Sequence, residues 1–248
     1  MTAIGIDLGG SKIEVQVFDA AWATVASKRV ETPTTYQELL EALIDVASWA
    51  DMQTDETVPI GIGAAGLLNP KTRTVLTANL PANDKRLPLD FARLLGRPVA
   101  YVNDAQALAL SEAVFGAAKN HHRVVGIVLG TGIGGGTVER GRLQAGPTGT
   151  GGEFGHMSAP AHLIAQYGLP MQQCGCGRIG CIETLVSGPG LRRIAKTVIG
   201  QDLSQSDIAV IRHTDDQVRL VWDIWCQITA DLLHTITLIQ DPDCIVLG

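Results

Sequence analysis

The sequence predicts an α/β protein of two related halves, each entered through a strand, a glycine-rich turn and a second strand. Three observations carry this expectation. An apolar strand at residues 99–102 runs into an alanine- and leucine-rich helix at 105–115, which is the strand-helix unit of an α/β fold. Two glycine turns, LGGSK at 8–12 and GTGIGGG at 130–136, each separate two apolar strands. A run that holds His156 and three closely spaced cysteines, 152–183, interrupts the second half. The halves are expected at residues 1–118 and 119–248.

Taken in order, the chain opens on a strand at 3–7, turns, and continues as a strand at 13–18. There Ile13, Val15 and Val17 alternate with polar residues at the period of a half-buried strand. Gly9, Gly10, Ser11 and Lys12 between them offer unhindered backbone N–H groups, a hydroxyl and a cation, which suits a phosphate; an ordinary Gly-Gly hairpin is the alternative. Asp7, at the end of the first strand, can meet a magnesium ion through water. A third strand is expected at 24–30, a helix at 36–50 from the spacing of Leu39, Leu40, Leu43, Ile44, Val46 and Ala47, and a strand at 59–64 ending in a glycine and asparagine turn. A short helix at 89–95 precedes the strand at 99–102, which ends in Asn103 and Asp104.

Asp104 has two readings here. It either caps the following helix, worth about 1 kcal/mol, or stands free at a strand end as a general base, where ligands gather in α/β folds. The second half repeats the opening: strand 123–129, then a turn with Thr131, Gly132, Gly134, Gly135 and Gly136, then strand 137–140. Two such units suggest duplicated halves serving one nucleotide. The glycines lead into a strand, so no dinucleotide fingerprint is implied, and no GxxxxGK[ST] loop occurs. A helix at 191–199, a long amphipathic helix at 218–239 and a strand at 244–247 complete the chain.

His156, Cys174, Cys176 and Cys181 form a Cys₃His set that suits tetrahedral, structural zinc. A disulfide is disfavoured by an odd total of five cysteines and by the lack of a signal segment. His162 is near enough in sequence to compete with His156 as fourth ligand. Closing such a site would draw Glu153 and Glu183 together. Cys226 and Cys244, in apolar periodic segments, are expected to be buried and inert.

Composition narrows the classes. With 46% hydrophobic and 18% charged residues in 248, the chain reads as globular. Its net charge of −6 is dispersed, which argues against nucleic acid as a partner, and no uncharged apolar run is long enough for a bilayer. The cysteine usage points to a reducing, cytoplasmic setting.

GIDLGGSK (5–12), VNDAQALALSEA (102–113), LGTGIGGG (129–136), GEFGH (152–156) and CGCGRIGCIE (174–183) together resemble the ROK family of repressors, open reading frames and sugar kinases. The resemblance runs along the whole chain. It implies a two-lobed actin-like ATPase fold of the ribonuclease H-like type, with an inserted structural zinc site. GEFGHM, GLP at 168–170 and TANLPA at 77–82 are most similar to bacterial N-acetylglucosamine kinases, with fructokinases, glucokinases and N-acetylmannosamine kinases sharing the core. By that resemblance Asp104 is the base that takes the proton of the sugar 6-hydroxyl; Gly66, Asn79, Asn103, Asp104, Glu153, His156 and Glu183 hold the sugar; and the two glycine turns cradle the phosphates of ATP with Mg²⁺. A homodimer is the family expectation. Ala65 stands where many relatives have proline, which reshapes the turn before Gly66. The family's usual C-terminal segment is short here, so a sugar-binding protein without turnover is the further alternative. Repressor relatives carry an N-terminal helix-turn-helix, for which a chain opening on its first strand leaves no room.

Overall fold

The computed structural model describes residues 3–248, which divide into two compact units: residues 3–107 with 145–151, and residues 108–144 with 152–248. In the first unit, β1 (Ala3–Leu8), β2 (Lys12–Phe18) and β3 (Thr24–Glu31) form two antiparallel pairs. Their period-2 pattern turns Ile4, Ile6, Leu8, Ile13, Val15 and Val17 inward. α1 (Tyr36–Asp51) joins this cluster through Leu39, Leu43, Val46 and Ala47. Fully burying a leucine such as Leu43 is worth roughly 1.5–3 kcal/mol. The helix starts where the Thr35 hydroxyl accepts the Glu38 backbone N–H.

The chain then forms β4 (Ile60–Ala64), the short antiparallel pair β5 (Leu67–Leu68) and β6 (Val75–Leu76), α2 (Leu87–Leu95) and β7 (Val99–Asn103). Pro88 opens α2, and Gly96, at φ 77°, closes it in the left-handed conformation. The sheet order is β3-β2-β1-β4-β7, with β1, β4 and β7 parallel. Leu8, Ala64 and Asn103 therefore lie in register at the carboxyl ends of three strands. α3 (Asp104–Val114) follows β7 without a loop.

The second unit repeats the opening topology. β8 (Arg123–Leu129) and β9 (Ile133–Glu139) are antiparallel, β10 (Arg142–Leu143) extends β9, and β11 (Cys244–Leu247) lies parallel to β8. Between them come a 3-10 turn (Phe154–His156), α4 (Ala161–Tyr167), α5 (Glu183–Val186), α6 (Gly188–Val198), α7 (Gln205–Ile211) and α8 (Asp216–Gln240). Val125, Ile127 and Ile133 of the sheet pack in one cluster with Leu185, Ile194, Ile224, Ile228 and Leu232. None of the described helices is long and apolar enough to cross a membrane.

Three expectations need correction. The strand after the second glycine turn starts at Ile133, not at 137, because Gly134, Gly135 and Gly136 pair with Val128, Ile127 and Gly126. Glycine carries no side-chain alternation from which a strand can be read. Cys226 is exposed and Cys244 half-buried. The buried stripe of α8 is Val218, Val221, Ile224, Ile228, Leu232 and Ile236, and Cys226 falls off it. The short elements β5, β6, β10, α4, α5 and α7 lie in stretches to which the sequence assigned no helix or strand.

Candidate functional site

In the first unit the carboxyl ends of the parallel strands collect the polar residues. The reading of Asp104 as cap or free carboxylate is resolved by its neighbour: Asn103 Oδ1 accepts the N–H groups of Ala105 (3.0 Å) and Gln106 (3.4 Å). Asn103 is thus the cap, and Asp104 sits exposed in the first helical turn with Oδ1 2.8 Å from its own neighbour's N–H, Ala105. A carboxylate there is favoured by the helix dipole. Asp7, at the end of β1, has its carboxyl pushed above the ordinary range by partial burial, then by the negative charge of Asp104. Two carboxylates of this unit therefore share one field.

The first glycine turn stands beside them. Gly9 N–H donates to Lys12 O (3.0 Å), and the Thr32 hydroxyl donates to Gly9 O (2.7 Å). A Cβ on Gly10 would come within 2.9 Å of Asn79 O, so glycine there permits the TANLP loop to seat against the turn. Thr77, which the sequence did not single out, ties that loop together. Its hydroxyl donates to Ala65 O (2.6 Å) and accepts the N–H groups of Asn79 and Leu80 (both 3.2 Å). Tyr101 donates to Gly66 O (3.3 Å). These bonds hold Asn79 and Gly66, and Asn103 Nδ2 donates to Ala64 O (3.4 Å) beside them.

In the second unit the Cys₃His set closes as expected. The ligand atoms of His156, Cys174, Cys176 and Cys181 all lie within 4.8 Å of one another. His156 Nδ1 is 3.6 Å from Cys174 Sγ, and Cys176 Sγ is 3.6 Å from Cys181 Sγ. Tetrahedral zinc with Zn–S of about 2.3 Å and Zn–N of about 2.0 Å has edges of about 3.5–3.8 Å, which the two 3.6 Å pairs match, while the 4.8 Å span of the whole set is wider than such an edge. The other ring nitrogen, Nε2, lies 3.4 Å from Glu153 Oε2, the arrangement that fixes the tautomer of a metal-bound histidine. His162 is not part of the set; its Nε2 lies 4.0 Å from Asp231 Oδ1. The backbone turns tightly around the cluster, with Cys174 N–H on Arg178 O (2.8 Å), Gly177 N–H on Cys174 O (3.0 Å), and Gly177 at φ 90°. Burial pushes the Cys181 thiol up to about 12 and raises that of Cys174; the Arg178 backbone N–H lowers that of Cys176.

Glu183 joins this cluster to the second glycine turn. Its Oε1 is 3.7 Å from Cys174 Sγ, while Oε2 accepts the Ile133 N–H (2.8 Å). The turn itself is Gly130–Thr131–Gly132, closed by Gly130 N–H on Gly132 O (3.0 Å). Thr131 is exposed, and Gly134 is half-buried in β9. Gly135 and Gly136 are buried; a Cβ on Gly135 would press within 2.9 Å of the Phe154 ring, so its small size serves packing inside the unit.

The whole described chain, residues 3–248, matches the ROK family model. It is 39% identical over 251 residues to an N-acetyl-D-glucosamine kinase of Pectobacterium carotovorum subsp. carotovorum (strain PC1), covering 98% of this chain and 82% of that one. It is 38% identical over 247 residues to the N-acetylgalactosamine kinase AgaK of Shewanella sp. (strain ANA-3), covering 98% and 80%. Among solved structures, a ROK hexokinase from Thermus thermophilus superposes with a TM-score of 0.87 at 31% identity over 100% of this chain and 81% of that one. A ROK glucokinase from Streptomyces griseus, in complex with glucose and AMPPNP, gives a TM-score of 0.76 at 29% identity, covering 100% and 83%. With its motifs, topology and full-length match in agreement, the chain belongs to the ROK family.

Proposed function

We propose that this chain is an ATP-dependent kinase that transfers the γ-phosphoryl group of ATP to the 6-hydroxyl of an N-acetylhexosamine, with N-acetylglucosamine its preferred substrate. The observation that carries the reading is the placement of Asp104: exposed at the first turn of α3, relieved of capping by Asn103, at the carboxyl end of a parallel strand. Family membership and the curated kinases of N-acetylated hexoses at 38–39% identity support the substrate class.

In this reading the Asp104 carboxylate accepts the proton of the 6-hydroxyl as that oxygen attacks the γ-phosphorus. The new O–P bond forms, the bond to the β-phosphate oxygen breaks, and ADP leaves. Phosphoryl transfer demands mainly position and charge compensation, so the remaining residues bind and orient. As the family resemblance implies, Gly66, Asn79, Asn103, Glu153, His156 and Glu183 bind sugar hydroxyls. The backbone N–H groups of Gly10 and Ser11 and of Thr131 and Gly132, with Lys12, hold the phosphates, while the Gly9 N–H closes its turn on Lys12 O. Asp7 would hold Mg²⁺, which supplies charge neutralisation on ATP; the repulsion that Asp7 feels from Asp104 favours a cation there. The Cys₃His set would hold zinc structurally, since four protein ligands leave no open position. A cytoplasmic location, from the cysteine usage, and a homodimer, from the family resemblance, complete the reading.

A second sugar has a specific claim, because the N-acetylgalactosamine kinase relative is as similar as the N-acetylglucosamine kinases. The deciding experiment is a coupled ADP-release assay with ATP and Mg²⁺ over N-acetylglucosamine, N-acetylgalactosamine, N-acetylmannosamine, glucose and fructose. The highest kcat/KM is expected for N-acetylglucosamine. A higher value for another sugar overturns the substrate, and silence on all five overturns the kinase reading.

A further inference from the structure

Gln106 is one of the few polar side chains buried in the molecule, at 5% relative exposure, and the proposed reaction gives it no part. All of its hydrogen-bonding groups are engaged. Oε1 accepts the Asn103 backbone N–H (3.4 Å), while Nε2 donates to Gly151 O (2.9 Å) and Gly149 O (3.4 Å). With Asn103 as cap and Gln106 three residues on, the first contact completes a capping box: each side chain accepts the other's backbone N–H. Asp104 lies between the two partners.

The other two contacts reach a segment distant in sequence. Residues 145–151 leave the second unit after β10 and fold with the first. They are bent by left-handed glycines, Gly146 at φ 74° and Gly149 at φ 78°, and closed by Gly151 N–H on Ala145 O (3.0 Å). Gly149 packs so closely on Leu68 O that a side chain would clash there. Two residues after Gly151 comes Glu153.

We infer that Gln106 is a positioning residue: its amide locks the 145–151 segment onto the helical turn that carries Asp104, and so sets the orientation of that carboxylate. This rests on the kinase reading, with Asp104 as base. A buried amide left without its partners costs far more than a surface hydrogen bond, and a misplacement of about 1 Å near the chemistry can cost on the order of 10²-fold in rate. Gln106→Glu keeps the acceptor towards Asn103 and replaces the two-donor NH₂ group with one carboxylate oxygen facing two carbonyls. Gln106→Asn keeps donors and acceptor one methylene short.

The test measures kcat and both KM values by ADP release, and amide hydrogen exchange over residues 145–151, on the full chain and both variants. For Gln106→Glu, kcat should fall about ten- to a hundredfold with the KM for ATP within twofold, and exchange over 145–151 should quicken at least tenfold. Gln106→Asn should fall between this variant and the parent in both readouts. Should Gln106→Glu fail to fold, Gln106→Asn alone decides, by a loss of kcat matched by faster exchange. Exchange over 145–151 unchanged in the decisive variant overturns the lock, whether or not the parent turns over. Faster exchange with kcat within twofold of the parent overturns the positioning role while leaving the kinase reading intact. If the parent itself has no turnover, the orientation claim falls with that reading.

Discussion

The two glycine turns share one design and differ in what fastens them. The first, between β1 and β2, is pinned from within its own unit by Thr32 and by the seat that Gly10 gives Asn79. The second, between β8 and β9, is fastened by a carboxylate: Glu183 accepts the Ile133 N–H and lies against Cys174 of the Cys₃His set. The first turn depends on ordinary packing, the second on the cluster that closes around His156. Duplicated topology therefore does not imply duplicated sensitivity.

The largest effect should come from the proposed base. Asp104→Asn removes the proposed base and should lower kcat by about 10²–10⁴ while sugar still raises the melting temperature. Near-normal turnover in a steady-state assay would remove Asp104 from its role.

Breaking the metal cluster should separate the turns. Cys181→Ser, or chelation, should accelerate amide exchange around Ile133 and raise the KM for ATP several-fold, with exchange at residues 9–12 unchanged. Equal loosening of both turns would show that the second has no special tie to the cluster.

Subtler substitutions sharpen the contrast. A Cβ at Gly10 meets a backbone oxygen of Asn79, whereas one at Gly132 meets the Glu183 carboxylate at 2.8 Å, the far end of a side chain. Gly10→Ala should therefore weaken sugar binding through Asn79, and Gly132→Ala should lower metal affinity through Glu183. Sugar titration and competition with a chromogenic chelator would separate the two.

The smallest effect concerns pH. Asp243 accepts the backbone N–H groups of Arg123 and His122, which hold its carboxyl below its ordinary 3.8. A depressed carboxyl contributes stability above its unfolded value and loses it as pH falls through the lower folded value. Exchange at His122 and Arg123 should thus quicken only below about pH 3.8, and Asp243→Asn should abolish that step. An unchanged acid profile in the variant would count against the contact.

Much of this was legible in the sequence because the signals are local. Period-2 alternation marked β2, the spacing of Leu39, Leu43 and Val46 marked α1, and cysteine spacing marked the cluster. What escaped depends on contacts distant in sequence. Nothing near Ile133 announces Glu183, fifty residues on. Thr77 and Gln106 are ordinary polar residues until their partners are seen. The start of β9 was hidden by glycines, and Cys226 by a helix whose apolar residues exceed its buried stripe. Whether Asn103 or Asp104 capped α3 could be decided only by geometry, since both side chains are able to.

The most direct measurement is of the product. Incubation of the chain with ATP, Mg²⁺ and N-acetylglucosamine, followed by phosphorus and proton NMR, should show a single phosphomonoester coupled to the protons on carbon 6, formed in proportion to ADP. Phosphate on another hydroxyl, or ADP without a phosphorylated sugar, would contradict the assignment of this chain as a 6-hydroxyl N-acetylhexosamine kinase.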